Sequence, residues 1–399
     1  MNQLEQACYD IITKNMCRTD EKVYLLYDTE SPLANLLSSA YISVLDSMHD
    51  DNITVREFKN PPQPLYRGGF VNQENPHADK QTRVITSHNI DENKRVWLNH
   101  HEVLEVKTAK DTSLQSEPQE QLVDPEIESI KNELISLPKG SIVILVQSTN
   151  FRLSTFRIRL ELFHRGIHVV EHNHLSYIPE EQFDTFIDCL VYRTPEYVRL
   201  ERKFTELAEN AETTRVQSVN GEFLTFWPVE KIRGNTGDYT GIENKGWTFP
   251  IGETFTEAKV LDNVNGRCLV DTYPREDFSI EICEPFELVI EHGRVLPSPH
   301  FPPGFQKLYD WVIEYEWEML VRELGFGLNP AISTTTPLRD INFHERKVWV
   351  HLSLGKKHGI FGKKLPKAEI QRFHIDVFVA LESVYMGDTQ VFRDGKWCV

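Results

Sequence analysis

The spacing of apolar residues changes once along the chain, near residue 212, and this change constrains the fold more than any other feature. Upstream, apolar runs of strand length alternate with segments of helical spacing. A helix is expected over residues 2 to 15, followed by the run VYLLYD from Val23 to Asp28. In SPLANLLSSAYISVLDSM, Ser31 can cap a helix, Pro32 suits its first position, and Leu33, Leu36, Leu37, Ala40 and Val44 recur at helical intervals. ITVREF from Ile53 then alternates as a strand, completing a β-α-β unit and opening a parallel sheet. The first turn lacks a glycine fingerprint, which argues against a dinucleotide site.

The theme returns in DPEIESIKNELISL as a helix, in the buried run from Ser141 to Ser148, in a helix from Ser154 to His164 stopped by Gly166, and in IHVVEH. The intervening residues 59–124 read as an irregular insertion, and the adjacent His100 and His101 would face opposite ways on a strand. Arg152, Arg157 and Arg159 read as solvated helix charges, with a substrate-carboxylate anchor as the alternative. His172 and His174 lie two apart and could share a strand face. A helix from Pro195 to Ala211 connects to the second half.

Downstream the sequence is mainly β. Asn220-Gly221, Asn265-Gly266, His292-Gly293 and Asp394-Gly395 read as tight hairpin turns, and a long helix is expected from Gly304 to Leu324. The expected fold is therefore an α/β N-terminal domain (1–211), a parallel sheet with flanking helices, plus an α+β, β-rich C-terminal domain (212–399), which the donor residues below mark as metal-binding.

Charge and cysteine usage narrow the class of function. A formal net charge of -17 argues against a nucleic-acid partner, which calls for a basic footprint. No apolar run has the length of a membrane span, and the N-terminus has no signal-peptide pattern. The six cysteines, Cys8, Cys17, Cys189, Cys268, Cys283 and Cys398, form no CxxC pair and read as reduced thiols of a cytoplasmic protein.

The chemistry concentrates near the C-terminus, in Glu323, His351, His358, His374 and Asp376, with Glu253 upstream. In Val348 to Leu354 the alternation turns His351 away from Val350 and Leu352. In Phe373 to Val377 it puts His374 and Asp376 on one face, where both can reach one ion. A lone strand histidine is often a satisfied core residue, and an aspartate beside a histidine can serve only to fix its tautomer. Taken together, oxygen and nitrogen donors without thiolate suit zinc, cobalt, manganese or iron.

In order, FPIGETFTEA, VNGRCLVD, RELGFGLNP, HLSLG with a Gly-Lys-rich loop, and HID resemble the C-terminal domain of the aminopeptidase T family of metallopeptidases. The resemblance covers residues 245 to 399. It implies two divalent metals held by Glu253, Glu323, His351, His374 and Asp376, with Glu253 or Glu323 as the catalytic carboxylate. His358 stands where the family has a tyrosine, and imidazole can still bind metal. The implied activity is hydrolysis of an amide next to a free amino group of a small peptide or amino-acid conjugate, in a homodimer. Trp227, Trp247, Trp311 and Trp317 offer apolar area for such a contact. Two alternatives stand beside it: a mononuclear Fe(II) ring-cleaving dioxygenase of the dihydroxypyridine type, which shares the fold, and a catalytically altered member that binds a peptide or small molecule.

Overall fold

The structure, a computed structural model, describes residues 1–59, 125–149, 158–242, 245–275, 277–355 and 373–399. Residues 60–124 of the insertion, with His100 and His101, lie outside the described residues, as do Arg152, Arg157 and His358.

The first sheet is parallel. Its strands β1 (Val23–Tyr27), β2 (Ile53–Glu57), β3 (Ile142–Val146) and β4 (His168–His172) lie in the order β2-β1-β3-β4. β3 and β4 are buried at every residue, as strands covered on both faces must be. One face packs Tyr24, Leu26, Val143, Leu145 and Val169 against Ile130 and Leu134 of the helix Pro125–Ile135 and Leu162 of the helix Ile158–His164. The other packs Leu25, Ile144 and Val170 against Leu33, Leu37 and Val44 of the helix Pro32–Ser47. That helix begins as expected, with Ser31 Oγ accepting from Ala34 N at 3.2 Å. The N-terminal helix spans Gln3–Asp10 and widens to a π-turn over Ile11–Asn15. Arg159 is not a solvated charge. It is 2% exposed, pairs with Glu171 Oε2 on β4 at 3.0 Å and donates to Thr248 Oγ1 at 2.8 Å.

The second, larger sheet is antiparallel and, among the described residues, has thirteen strands. It opens with the hairpin of β5 (Thr214–Ser218) and β6 (Phe223–Phe226), turning at Asn220-Gly221, and continues with β7 (Arg233–Asn235). The strand β8 (Gly246–Thr248) returns to the parallel sheet beside β4, so that sheet takes its fifth strand from beyond residue 212. Then follow β9 (Glu253–Glu257), β10 (Asn265–Pro274), β11 (Ile280–Glu291) and β12 (Arg294–Val295). The remainder are β13 (Val321–Gly327), β14 (Val350–Gly355), β15 (His374–Val379), β16 (Leu381–Met386), β17 (Thr389–Arg393) and β18 (Lys396–Trp397).

Two sequence expectations fail here. Asn265-Gly266 is not a hairpin turn. A short 3-10 turn over Leu261–Asn263 precedes it, and both residues open β10 opposite Thr225 and Leu224. Gly266 is required there because a Cβ would lie 2.1 Å from the Phe223 carbonyl oxygen. The expected helix to Leu324 stops at Glu316, where Trp317 takes a left-handed conformation (φ 67°) and donates its N–H to Ile313 O at 2.9 Å. Val321–Gly327 then forms a strand, because this segment fills the gap between β9 and β14 and gains a hydrogen-bonded ladder on each side.

At His292-Gly293 and Asp394-Gly395 both central residues have positive φ (50° and 74°, 53° and 73°), the geometry a two-residue hairpin needs. All six cysteines are free thiols. Among the described residues no helix is long and apolar enough to cross a membrane.

Candidate metal centre

Four neighbouring strands, β9-β13-β14-β15, position the donors. Residues opposite one another across a sheet share a face, and so do residues two apart along a strand. The register places Phe255, Gly325, His351 and Phe378 in one row. The next row holds Glu257, Glu323, Ser353 and Asp376, and Gly355 opposite His374 extends it. Glu253 lies beyond the first row, opposite Gly327. One sheet face therefore carries Glu253, Glu257, Glu323, His351, His374 and Asp376.

Two glycines make this face habitable. A Cβ on Gly325 would lie 2.0 Å from His351 Nε2, so the imidazole occupies the space a side chain would need. A Cβ on Gly327 would lie 1.8 Å from the Lys347 carbonyl oxygen. The bare backbone at Gly327 lets the segment after the short helix Ile341–His344 cross over the face, bringing Glu345 and Arg346 to it.

The donors converge. His351 is fully buried, with Nε2 3.2 Å from Glu253 Oε1 and 3.6 Å from Glu323 Oε1. Yet neither ring nitrogen makes a hydrogen bond of acceptable geometry. Glu253, Glu345 and His351 each offer a ligand atom, all within 4.8 Å of one another and all buried. His374 Nε2 lies 3.3 Å from Asp376 Oδ1, which also accepts from Ser353 Oγ at 2.6 Å. Arg346 Nη1 contacts Glu345 Oε1 and lies 3.7 Å from Glu253 Oε2.

These proximities govern protonation. Burial disfavours the His351 imidazolium, but the Glu253 and Glu323 carboxylates outweigh it and raise the pKa to about 10. Burial acts likewise on His374, and Asp376 reverses it, raising the pKa to about 9. Burial penalises the Asp376 and Glu253 carboxylates, yet His374 holds Asp376 well below the usual range, and Arg346 with His351 lowers Glu253. Without an ion both imidazoles carry protons that a metal would displace.

Glu253, Glu323, His351, His374 and Asp376, expected from sequence, all lie on this face. Sequence reading passed over Glu345, Glu257 and Arg346. Glu257 shows the alternation signal, two residues from Phe255 and four from Glu253 on β9. Glu345 and Arg346 sit in a crossing segment with no period to mark them. His172 and His174 part company. His172 bonds Tyr41 Oη at 2.8 Å, whereas His174, left-handed at φ 58°, lies 3.4 Å from Asp340 Oδ2. A buried imidazole with no well-aligned hydrogen bond, within reach of several carboxylates, fits a divalent ion of the borderline type.

No protein-family model and no curated protein matches the sequence. Among solved structures the chain is similar to 2,5-dihydroxypyridine dioxygenase from Pseudomonas putida KT2440 (TM-score 0.60, 14% identity, 99% of this chain and 97% of that one). It is also similar to wild-type AmpT from Thermus thermophilus (TM-score 0.59, 14% identity, 100% of this chain and 99% of that one). At this identity the likeness shows a shared fold.

Proposed function

We propose that the chain is a metal-dependent hydrolase of the aminopeptidase kind, cleaving an amide beside a free amino group of a small peptide or amino-acid conjugate. The observation that carries this reading is the buried group Glu253, Glu345 and His351, with Glu323, His374 and Asp376 on the same face. Its excess of carboxylates over imidazoles suits one or two hard or borderline divalent ions, and the AmpT fold supports it.

A bound divalent ion would polarise the scissile carbonyl and acidify a water. Glu253, Glu345 and His351 would hold it, and Asp376, fixed by Ser353, would join His374 in a neighbouring donor pair. Glu323 stands outside the three-residue group, 3.6 Å from His351, and would serve as the carboxylate that takes a proton from the attacking water and passes it on. Burial of Glu253, Glu323, Glu345, His351 and Asp376 excludes bulk water and strengthens each of these charges.

The test is metal content together with cleavage of an aminoacyl reporter. Zinc, cobalt or manganese bound per chain, with activity lost in Glu323→Gln while the metal is retained, is the expected result. Protein that binds divalent metal yet cleaves no aminoacyl substrate would remove the hydrolase reading.

A second reading rests on a different subset. His374 and Asp376 lie 3.3 Å apart on β15, with His351 on the adjacent strand β14; drawn together by an ion, these would be the two imidazoles and one carboxylate of a mononuclear iron oxygenase, and the dioxygenase fold supports it. One Fe(II) per chain with oxygen uptake on a dihydroxylated ring would favour it over hydrolysis.

A further inference from the structure

Arg346 brings a buried cation to the candidate ion group. It is 4% exposed, and its guanidinium reaches two of the three donors of the candidate ion group, touching Glu345 and lying 3.7 Å from Glu253 Oε2. Nη1 also donates to the Asn342 carbonyl, while Nε is buried with no acceptor. The neighbouring Lys347 turns elsewhere, its Nζ 4.3 Å from the centre of the Trp349 ring. Glu253, Glu257, Glu323, Glu345 and Asp376 are all less than 9% exposed. Carboxylates packed together away from water need countercharge.

We infer that Arg346 is the internal counter-ion of this site, competing with the divalent ion for Glu253 and Glu345. The inference rests on the metal-site reading above. With no ion bound, the guanidinium neutralises the two carboxylates and keeps the face folded. An ion held by Glu253, Glu345 and His351 would share two of its carboxylates with a fixed positive charge. Two cations sharing ligands repel, so Arg346 lowers the affinity of the site in exchange for stability of the metal-free chain. A guanidinium that merely oriented the ligands from outside would act in the opposite sense and tighten binding.

The sign of one measurement separates these roles. Zinc affinity is measured by chelator competition for the wild type, Arg346→Gln and Arg346→Lys, with His351→Ala as the control for the site. Thermal unfolding of the metal-free proteins is followed in parallel. Arg346→Gln is expected to bind zinc about tenfold tighter or more, to unfold at a lower temperature without metal, and to show the larger upward shift on adding zinc. Arg346→Lys, which keeps the charge, should stay near the wild type in both. Equal or weaker zinc binding by Arg346→Gln, with normal binding by the wild type, overturns the inference and leaves the metal site standing. A wild type that binds zinc no better than His351→Ala overturns both. If Arg346→Gln folds only when zinc is present, the inference is supported; if it fails to fold even with zinc while Arg346→Lys folds, the charge is needed in the loaded state and the inference is overturned.

Discussion

Gly325 and His351 form a single unit, because the imidazole lies where a side chain on residue 325 would go. Gly325→Ala should therefore push the ring away from Glu253, costing about 1–3 kcal/mol of stability by overpacking and weakening zinc binding. A denaturant midpoint and a metal titration check both effects. Protonation gives a second prediction at this scale. The folded-state pKa of His351 is raised to about 10, so its contribution to stability is fully present below the ordinary histidine value of 6.5. That contribution fades as pH rises through about 10. Metal affinity should run the other way, increasing over the same window as the imidazoles shed their protons. Metal-free unfolding temperatures and zinc affinities between these pH values test the opposed trends; zinc affinity that stays flat would remove the protonated imidazoles from the account. Side-chain type, strand alternation and the family resemblance together picked out Glu253, Glu323, His351, His374 and Asp376 in the sequence, and the strand register puts them on one sheet face. Arg346 and Glu345 escaped because a charged pair in an aperiodic stretch looks the same whether it faces solvent or a buried carboxylate.

Elements followed the sequence wherever one period was unambiguous. The buried runs of β1, β3 and β4 could be read directly, since an apolar stretch of that length bounded by turns has few other uses. The segment after Glu316 could not, because Leu320, Val321 and Leu324 satisfy a helical stripe as well as a strand. Pairing on both sides by β9 and β14 decided the matter. Trp317 marks the break at a cost, being left-handed and 86% exposed, so it gives up backbone ease without burying its ring. Trp317→Gly should raise stability by about 0.5–1 kcal/mol, since glycine takes this conformation freely. The denaturant midpoint is the measurement, and a loss of stability would show that the indole has a packing role. The same logic explains Asn265-Gly266, where a turn dipeptide opens a strand because only glycine lets the Phe223 carbonyl approach.

At the scale of the whole molecule, the parallel sheet and the donor-bearing face of the antiparallel sheet are built by different means. Arg159 and Glu171 form a pair, each 2% exposed, closed by Thr248 from β8, and so tie a late segment of chain to an early sheet. Removing one partner strands the other, so Arg159→Ala should cost about 3–5 kcal/mol in global unfolding. A divalent ion held by Glu253, Glu345 and His351 would act at the same level. An ion that binds only the folded chain should stabilise it by about 2.7 kcal/mol at a hundredfold excess over its dissociation constant. That gain should disappear in His351→Ala. The sequence by itself determined the two kinds of sheet and most of the donor types, because residue period and side-chain chemistry are local properties carried by neighbours along the chain. Only the tertiary structure decided that Val321–Gly327 is a strand, that Glu345 and Arg346 cross Gly327 to join the site, and that Arg159 is buried. Each of those outcomes depends on which distant backbone lies alongside, and a contact between residues far apart in sequence leaves no period to read.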